Sequence, residues 1–118
     1  MYGVPANLDL SIFHGATCIQ VLIGEFQMQF HFHPEGSISV DGYWELQSPD
    51  GQIADQAMET KDRTSYRIHH VLSKVVRETF VNDPRSFGFR FENNYVLEIF
   101  DDSGKYESCQ IFPGNVVI

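Results

Sequence analysis

Apolar side chains recur at every second position in two separate stretches of this chain. Phe26, Met28, Phe30 and Phe32 alternate with Gln27, Gln29, His31 and His33, and Phe87, Phe89 and Phe91 alternate with Gly88, Arg90 and Glu92. A period of two places one set of side chains on one face of a strand and the other set on the opposite face. Two such stretches, far apart in sequence, must bury their aromatic faces somewhere. The economical solution is a pair of facing layers around one hydrophobic interior.

Other segments extend the β pattern. Thr17 to Ile23 is a short apolar run that meets the first alternating stretch at Gly24-Glu25, which predicts a hairpin with a two-residue turn. Ser37 to Val40 starts a further strand, and Tyr43 to Leu46 continues it after Asp41-Gly42, as one bent strand or two short ones. Ser48-Pro49-Asp50-Gly51 is a turn signature, and a polar stretch follows from Gln52 to Arg63. Asp83-Pro84-Arg85 and Asn93-Asn94 mark further turns, the latter as a type I′ hairpin. Tyr95 to Phe100 is the return strand, Asp101-Asp102-Ser103-Gly104 the next turn, and Tyr106 to Phe112 a last long strand before Val116-Val117-Ile118.

The apolar residues at 68, 71, 72, 75 and 76 fall at helical spacing. With Thr64 or Ser65 as cap, they predict one helix over about 64–74. The β-branched Val75 and Val76 favour a return to strand by Val81. The expected fold is therefore mainly β (α+β), a single domain over residues 1–118. Its architecture is a bent antiparallel sheet or partly open barrel of about eight strands, with one short mid-chain helix over its mouth or side. The two halves also resemble each other at an offset of about 68, the Gly24 hairpin matching Asn93-Asn94 and the Gly36 turn matching Gly104, as a duplicated meander would.

Charge and chemistry narrow the function classes. Sixteen acidic residues against eight basic ones give a formal charge of −8, which repels phosphate backbones and argues against nucleic-acid binding. No apolar run reaches the ~18 residues of a membrane span, and Met1-Tyr2-Gly3-Val4-Pro5 lacks the pattern of a secretion signal. A cytoplasmic protein is expected, with Cys18 and Cys109 reduced and buried.

His31 and His33 share a strand face, and together with Gly24, Glu35 and Gly42 they are similar to the first metal motif of cupins. The glutamate comes early, however, and the later strands contain no third histidine, so neither metal nor cofactor is expected. His69-His70 are adjacent on one turn and cannot chelate a single ion. No nucleophile elbow or phosphate loop surrounds the cysteines or the dispersed glycines. Trp44 shares a face with Leu46 and is expected in the core.

The carboxylates suggest where a partner could bind. Glu98, Asp101, Asp102 and Glu107, with Tyr106, form a prospective acidic rim for a basic protein, and Asp55, Glu59 and Asp62 form another. An alternative is a small-ligand site or enzyme at the barrel mouth using His14, His31, His33 or Tyr106 among aromatic walls. A third reading is a structural module that pairs through an exposed strand edge, giving a monomer or a homodimer.

Trp44-Glu45-Leu46, Pro49-Asp50-Gly51, Phe91-Glu92-Asn93-Asn94-Tyr95-Val96-Leu97-Glu98-Ile99, Asp101-Asp102 and Tyr106-Glu107-Ser108 resemble a group of small bacterial β-rich domains of unknown function. Some of these are similar to immunity proteins encoded beside polymorphic toxins. The resemblance implies a non-enzymatic domain that binds and blocks a partner. It transfers no catalytic residue, and the family pattern often has glycine where Ser73 stands and an aromatic residue where Cys109 stands.

Overall fold

The structure is a computed structural model describing residues 3–58, 60–101, 109–114 and 116–118. Ten strands are present among these: β1 (Thr17–Ile23), β2 (Met28–His33), β3 (Ser37–Val40), β4 (Trp44–Gln47), β5 (Ile53–Gln56), β6 (Val76–Asn82), β7 (Ser86–Phe91), β8 (Val96–Phe100), β9 (Cys109–Phe112) and β10 (Val116–Val117). They form two five-stranded antiparallel sheets, β1-β2-β3-β9-β10 (sheet A) and β5-β4-β8-β7-β6 (sheet B).

Met28, Phe30 and Phe32 on sheet A and Phe87, Phe89 and Phe91 on sheet B point into a shared interior with Phe13, Trp44, Leu46, Leu97 and Ile99, and all are buried. Phe13 packs edge-on against both Phe32 and Phe89, at 5.1 and 5.2 Å between ring centroids. The facing aromatic layers expected from the alternation are present, but the barrel is not closed. The sheets join at one corner, where Val76 N–H donates to Ala16 O and Cys18 N–H to Lys74 O.

Phe26 does not extend β2. The β1–β2 connection spans residues 24–27, closed by Gly24 N–H donating to Gln27 O, and Phe26 sits exposed at its tip. The Asn93-Asn94 turn also differs from the type I′ expectation. Only Asn94 has a positive φ, of 66°, while Asn94 N–H donates to Phe91 O and Phe91 N–H to Tyr95 O. That pattern is a type I turn followed by one left-handed residue.

The predicted helix over about 64–74 is replaced by one 3-10 turn, Ile68–Val71. Neither Thr64 nor Ser65 caps it. Instead the Asp55 carboxylate, brought in by β5, accepts the N–H groups of Arg67 and Ile68 at 2.7 and 2.8 Å. Ile68 and Val71 enter the core while Leu72 is exposed, and Ser73 at φ 66° turns the chain toward β6. The helical spacing is thus met by one turn plus a strand. Ser73 lies where the left-handed backbone favours glycine.

Duplication is visible in the topology, but at an offset of 59 rather than about 68. Phe30 pairs with Ile38 as Phe89 pairs with Leu97, and Phe32 N–H donates to Gly36 O as Phe91 N–H donates to Tyr95 O. The Gly36 turn therefore corresponds to Asn93-Asn94. Each meander is completed by the following strand pair of the other half: β4-β5 joins β8, and β9-β10 joins β3. Of the two readings of Ser37 to Leu46, two short strands rather than one bent strand are present, because the chain changes sheets at residues 41–43.

Gly88 of β7 tests this packing. A Cβ there would press on the Leu97 carbonyl oxygen and the Phe80 ring. Gly88→Ala is expected to cost at least about 2 kcal/mol through overpacking, readable as a lowered urea midpoint with unchanged slope.

Candidate functional site

Sheet A and sheet B differ in a way that locates the candidate site. Among the described residues, the strands of sheet A contain no Asp, Glu, Lys or Arg, whereas those of sheet B carry Glu45, Asp55, Arg77, Glu78, Arg90 and Glu98. Charge on the sheets therefore belongs to one layer.

On β4, Trp44 and Leu46 face the core, so Glu45 and Gln47 face out. On β8, Leu97 and Ile99 face the core, so Glu98 faces out. The register sets Glu45 directly opposite Glu98. Like charges opposed across a ladder are unfavourable, and neutral donors offset this. Gln47 Nε2 donates to Glu45 Oε1 at 3.0 Å and to Glu98 Oε1 at 3.1 Å. The Tyr43 hydroxyl donates to Glu45 Oε2 at 3.0 Å, and Ser86 Oγ donates to Glu98 Oε2 at 2.6 Å. Gln56 Oε1 lies 2.9 Å from the same tyrosine hydroxyl. Burial, the hydrogen bond to Glu45 and the charge of that carboxylate push the Tyr43 phenol up to about 12, so it stays a donor throughout the physiological range.

Each carboxylate oxygen thus holds one donor and keeps further acceptor capacity. Tyr43, Glu45, Asn82, Arg85, Glu98 and Phe100 line an open concavity of about 480 Å³ here. The Tyr43 and Phe100 rings, 5.5 Å apart, form its aromatic wall. Two carboxylates beside aromatic faces suit a cationic side chain.

Of the prospective rim, Glu98 lies in this site. Asp101 is close in sequence but occupied, its Oδ2 accepting the Gly3 N–H at 2.7 Å. Asp102, Tyr106 and Glu107 lie outside the described residues. The second rim does not exist as drawn, because Asp55 is buried and paired with Arg63 at 2.8 Å, while Asp62 is exposed and Glu59 lies outside the described residues.

His31 and His33 share the outer face of sheet A, His31 with a ring nitrogen 3.1 Å from Gln29 Oε1, and His14 follows the first 3-10 turn, Ser11–Phe13. The barrel is not closed, His14 and His33 are exposed and His31 is half-buried, and Tyr106 lies outside the described residues. Among the described residues no three His, Cys, Asp or Glu side chains gather as a metal site, and no helix is long and apolar enough to cross a membrane.

Cys18 and Cys109 are buried free thiols. Burial pushes them up to about 11 and about 12, the latter helped by the charge of Asp41. Neither supplies a thiolate near neutral pH. His69 and His70 stack on each other, and His70 stacks on Tyr95 at 4.7 Å. Burial and then the charges of His69, Arg67 and Lys74 hold the His70 imidazole below its ordinary value.

Sequence reading missed Tyr43, Glu45, Gln47, Gln56 and Ser86. The signal for three of them was present: Tyr43, Glu45 and Gln47 alternate with Trp44 and Leu46. Their convergence with Glu98 depended on the exchange of strand pairs between sheets. Comparison with protein-family models, with curated proteins and with solved structures gives no match.

Proposed function

We propose that the protein is a non-enzymatic interaction module that captures a basic partner by seating a lysine or arginine side chain in the Glu45/Glu98 concavity. One observation carries this reading: two half-buried carboxylates are held face to face by neutral donors. Among the described residues, neither enters an ion pair within 4.0 Å. An incoming guanidinium would relieve their mutual repulsion and gain charge-assisted hydrogen bonds. The likeness to immunity domains fits the same role, that of covering a basic surface on a toxin.

Titration with a nona-arginine peptide at low ionic strength tests it. Binding is expected to weaken about tenfold, or ~1.4 kcal/mol, in Glu45→Gln/Glu98→Gln, which keeps the side-chain shapes. Added salt should weaken it further. Equal affinity for the native protein and the double variant would remove this site from consideration.

A further inference from the structure

Among the described residues the two sheets have four edges, β1 and β10 in sheet A and β5 and β6 in sheet B. Three carry a recognised defence against pairing with another chain. Strand β10 has two residues. Strand β5 turns Asp55 inward onto Arg63. Strand β6 presents exposed Arg77 and Glu78.

Strand β1 has none of these protections beyond its bulge between Cys18 and Gln20, and that bulge lies at the end already covered by residues 73–76. From Ile19 to Ile23 the strand is uncharged. Ile19 is 57 %, Leu22 40 % and Ile23 48 % exposed, with Phe26 82 % exposed at the adjoining hairpin tip. Among the described residues, no backbone hydrogen bond reaches these five residues from outside sheet A. The duplicated half makes the contrast specific. Matched through their hairpin partners on β2 and β7, which sets β1 and β6 at an offset of 58, Gln20, Leu22 and Ile23 stand where β6 has Glu78, Phe80 and Val81, and Ile19 in its bulge stands where β6 has Arg77 in the corresponding one.

We infer that β1 pairs antiparallel with β1 of a second copy, joining two A sheets into one continuous ten-stranded sheet about a two-fold axis near Val21. The chain's charge of −8 would ordinarily oppose self-association. Here the paired segment, Ile19 to Ile23, carries no charge, and among the described residues the strands of sheet A carry none, so the pairing sets no carboxylate against another. The two-fold places Gln20 opposite Leu22 of the second copy and brings Ile19 beside its Ile23, leaving each Phe26 to cover apolar surface near the exposed Leu72. Covering these side chains in both copies removes on the order of 1,000 Å² from water, the lower bound for a specific interface. The dimer is therefore expected to be weak, with Kd of roughly 10–500 μM.

Sedimentation equilibrium from about 10 μM to about 1 mM, a range that brackets that Kd, tests the inference. The native chain should pass from monomer to dimer. Ile19→Lys/Leu22→Lys, both at exposed positions, should stay monomeric while keeping the native circular dichroism spectrum. Arg77→Lys/Glu78→Asp, which keeps the charges on the corresponding edge of sheet B, should change nothing. A native chain that is monomeric throughout, or a lysine variant that dimerises as the native chain does, would overturn the inference. The concavity lies on the other sheet, so Glu45→Gln/Glu98→Gln should dimerise normally, which separates failure here from failure of the proposed partner site.

Discussion

Replacing Asp55 by alanine is expected to destabilise the protein by about 3–5 kcal/mol, the cost of breaking a buried ion pair and stranding its partner. Asp55 Oδ1 accepts Arg63 Nη1 and the Gln56 N–H, each at 2.8 Å, and Oδ2 accepts the N–H groups of Arg67 and Ile68. Arg63 in turn donates to Gln56 O at 2.6 Å and Ser65 O at 2.9 Å and lies over the Tyr66 ring. One carboxylate therefore fixes the path of residues 56–68 and the start of the turn that delivers Ile68 and Val71 to the core. Arg63→Ala should cost less, because the three backbone donors to Asp55 remain. Chemical denaturation of the two variants measures the difference.

The same group predicts an acid response. Burial raises the Asp55 pKa, but the Arg63 hydrogen bond, the Arg67 and Gln56 N–H groups and the guanidinium charge outweigh it, leaving the carboxyl below its ordinary value of 3.8. A folded-state value below the unfolded one means that this stabilisation is complete above the unfolded pKa, near ~3.9. It is lost as pH falls through the folded pKa. Below about pH 4, Asp55→Asn should therefore show a flatter decline of stability with acidity than the native chain.

Phe89→Ala is expected to cost about 3–5 kcal/mol through lost burial and the cavity left behind. Phe89 is fully buried, with Phe13, Phe32 and Phe87 at 5.2, 5.8 and 6.2 Å. Phe32 belongs to sheet A, Phe87 to sheet B and Phe13 to the segment before β1, so the residue ties all three together. Equilibrium unfolding by tryptophan fluorescence reads the loss through Trp44. Phe26→Ala, at the exposed hairpin tip, should change monomer stability by less than about 0.5 kcal/mol.

What was legible in the sequence was periodicity. The Met28–Phe32 and Phe87–Phe91 alternations identified two core-facing strands because each was long, regular and aromatic. Ser48-Pro49-Asp50-Gly51 identified its turn because backbone preferences act locally. The spacing from Ile68 to Val76 misled because a 3-10 turn followed by a strand also buries Ile68, Val71 and Val76. The competing event was a long-range one, the capture of two backbone N–H groups by Asp55. Strand β5 was invisible for a related reason: its inward residue is a carboxylate, which reads as polar loop until Arg63 is placed beside it.

The candidate site was half legible. Glu98 stood out as an acid on an alternating strand, but its partner Glu45 lies 53 positions earlier. Only the exchange of strand pairs between the sheets brings them together. Local pattern carries no information about which strands become neighbours across such a distance.

That exchange is what builds the Glu45/Glu98 pair and gives each sheet its fourth and fifth strands. Interstrand nuclear Overhauser effects in a uniformly labelled sample report on it directly. Cross-peaks linking Glu45 with Glu98 backbone protons, and Ser39 with Gln110, are expected from the observed registers. Continuation of β3 into β4 within one sheet, with neither cross-peak present, would contradict both the fold and the site built on it.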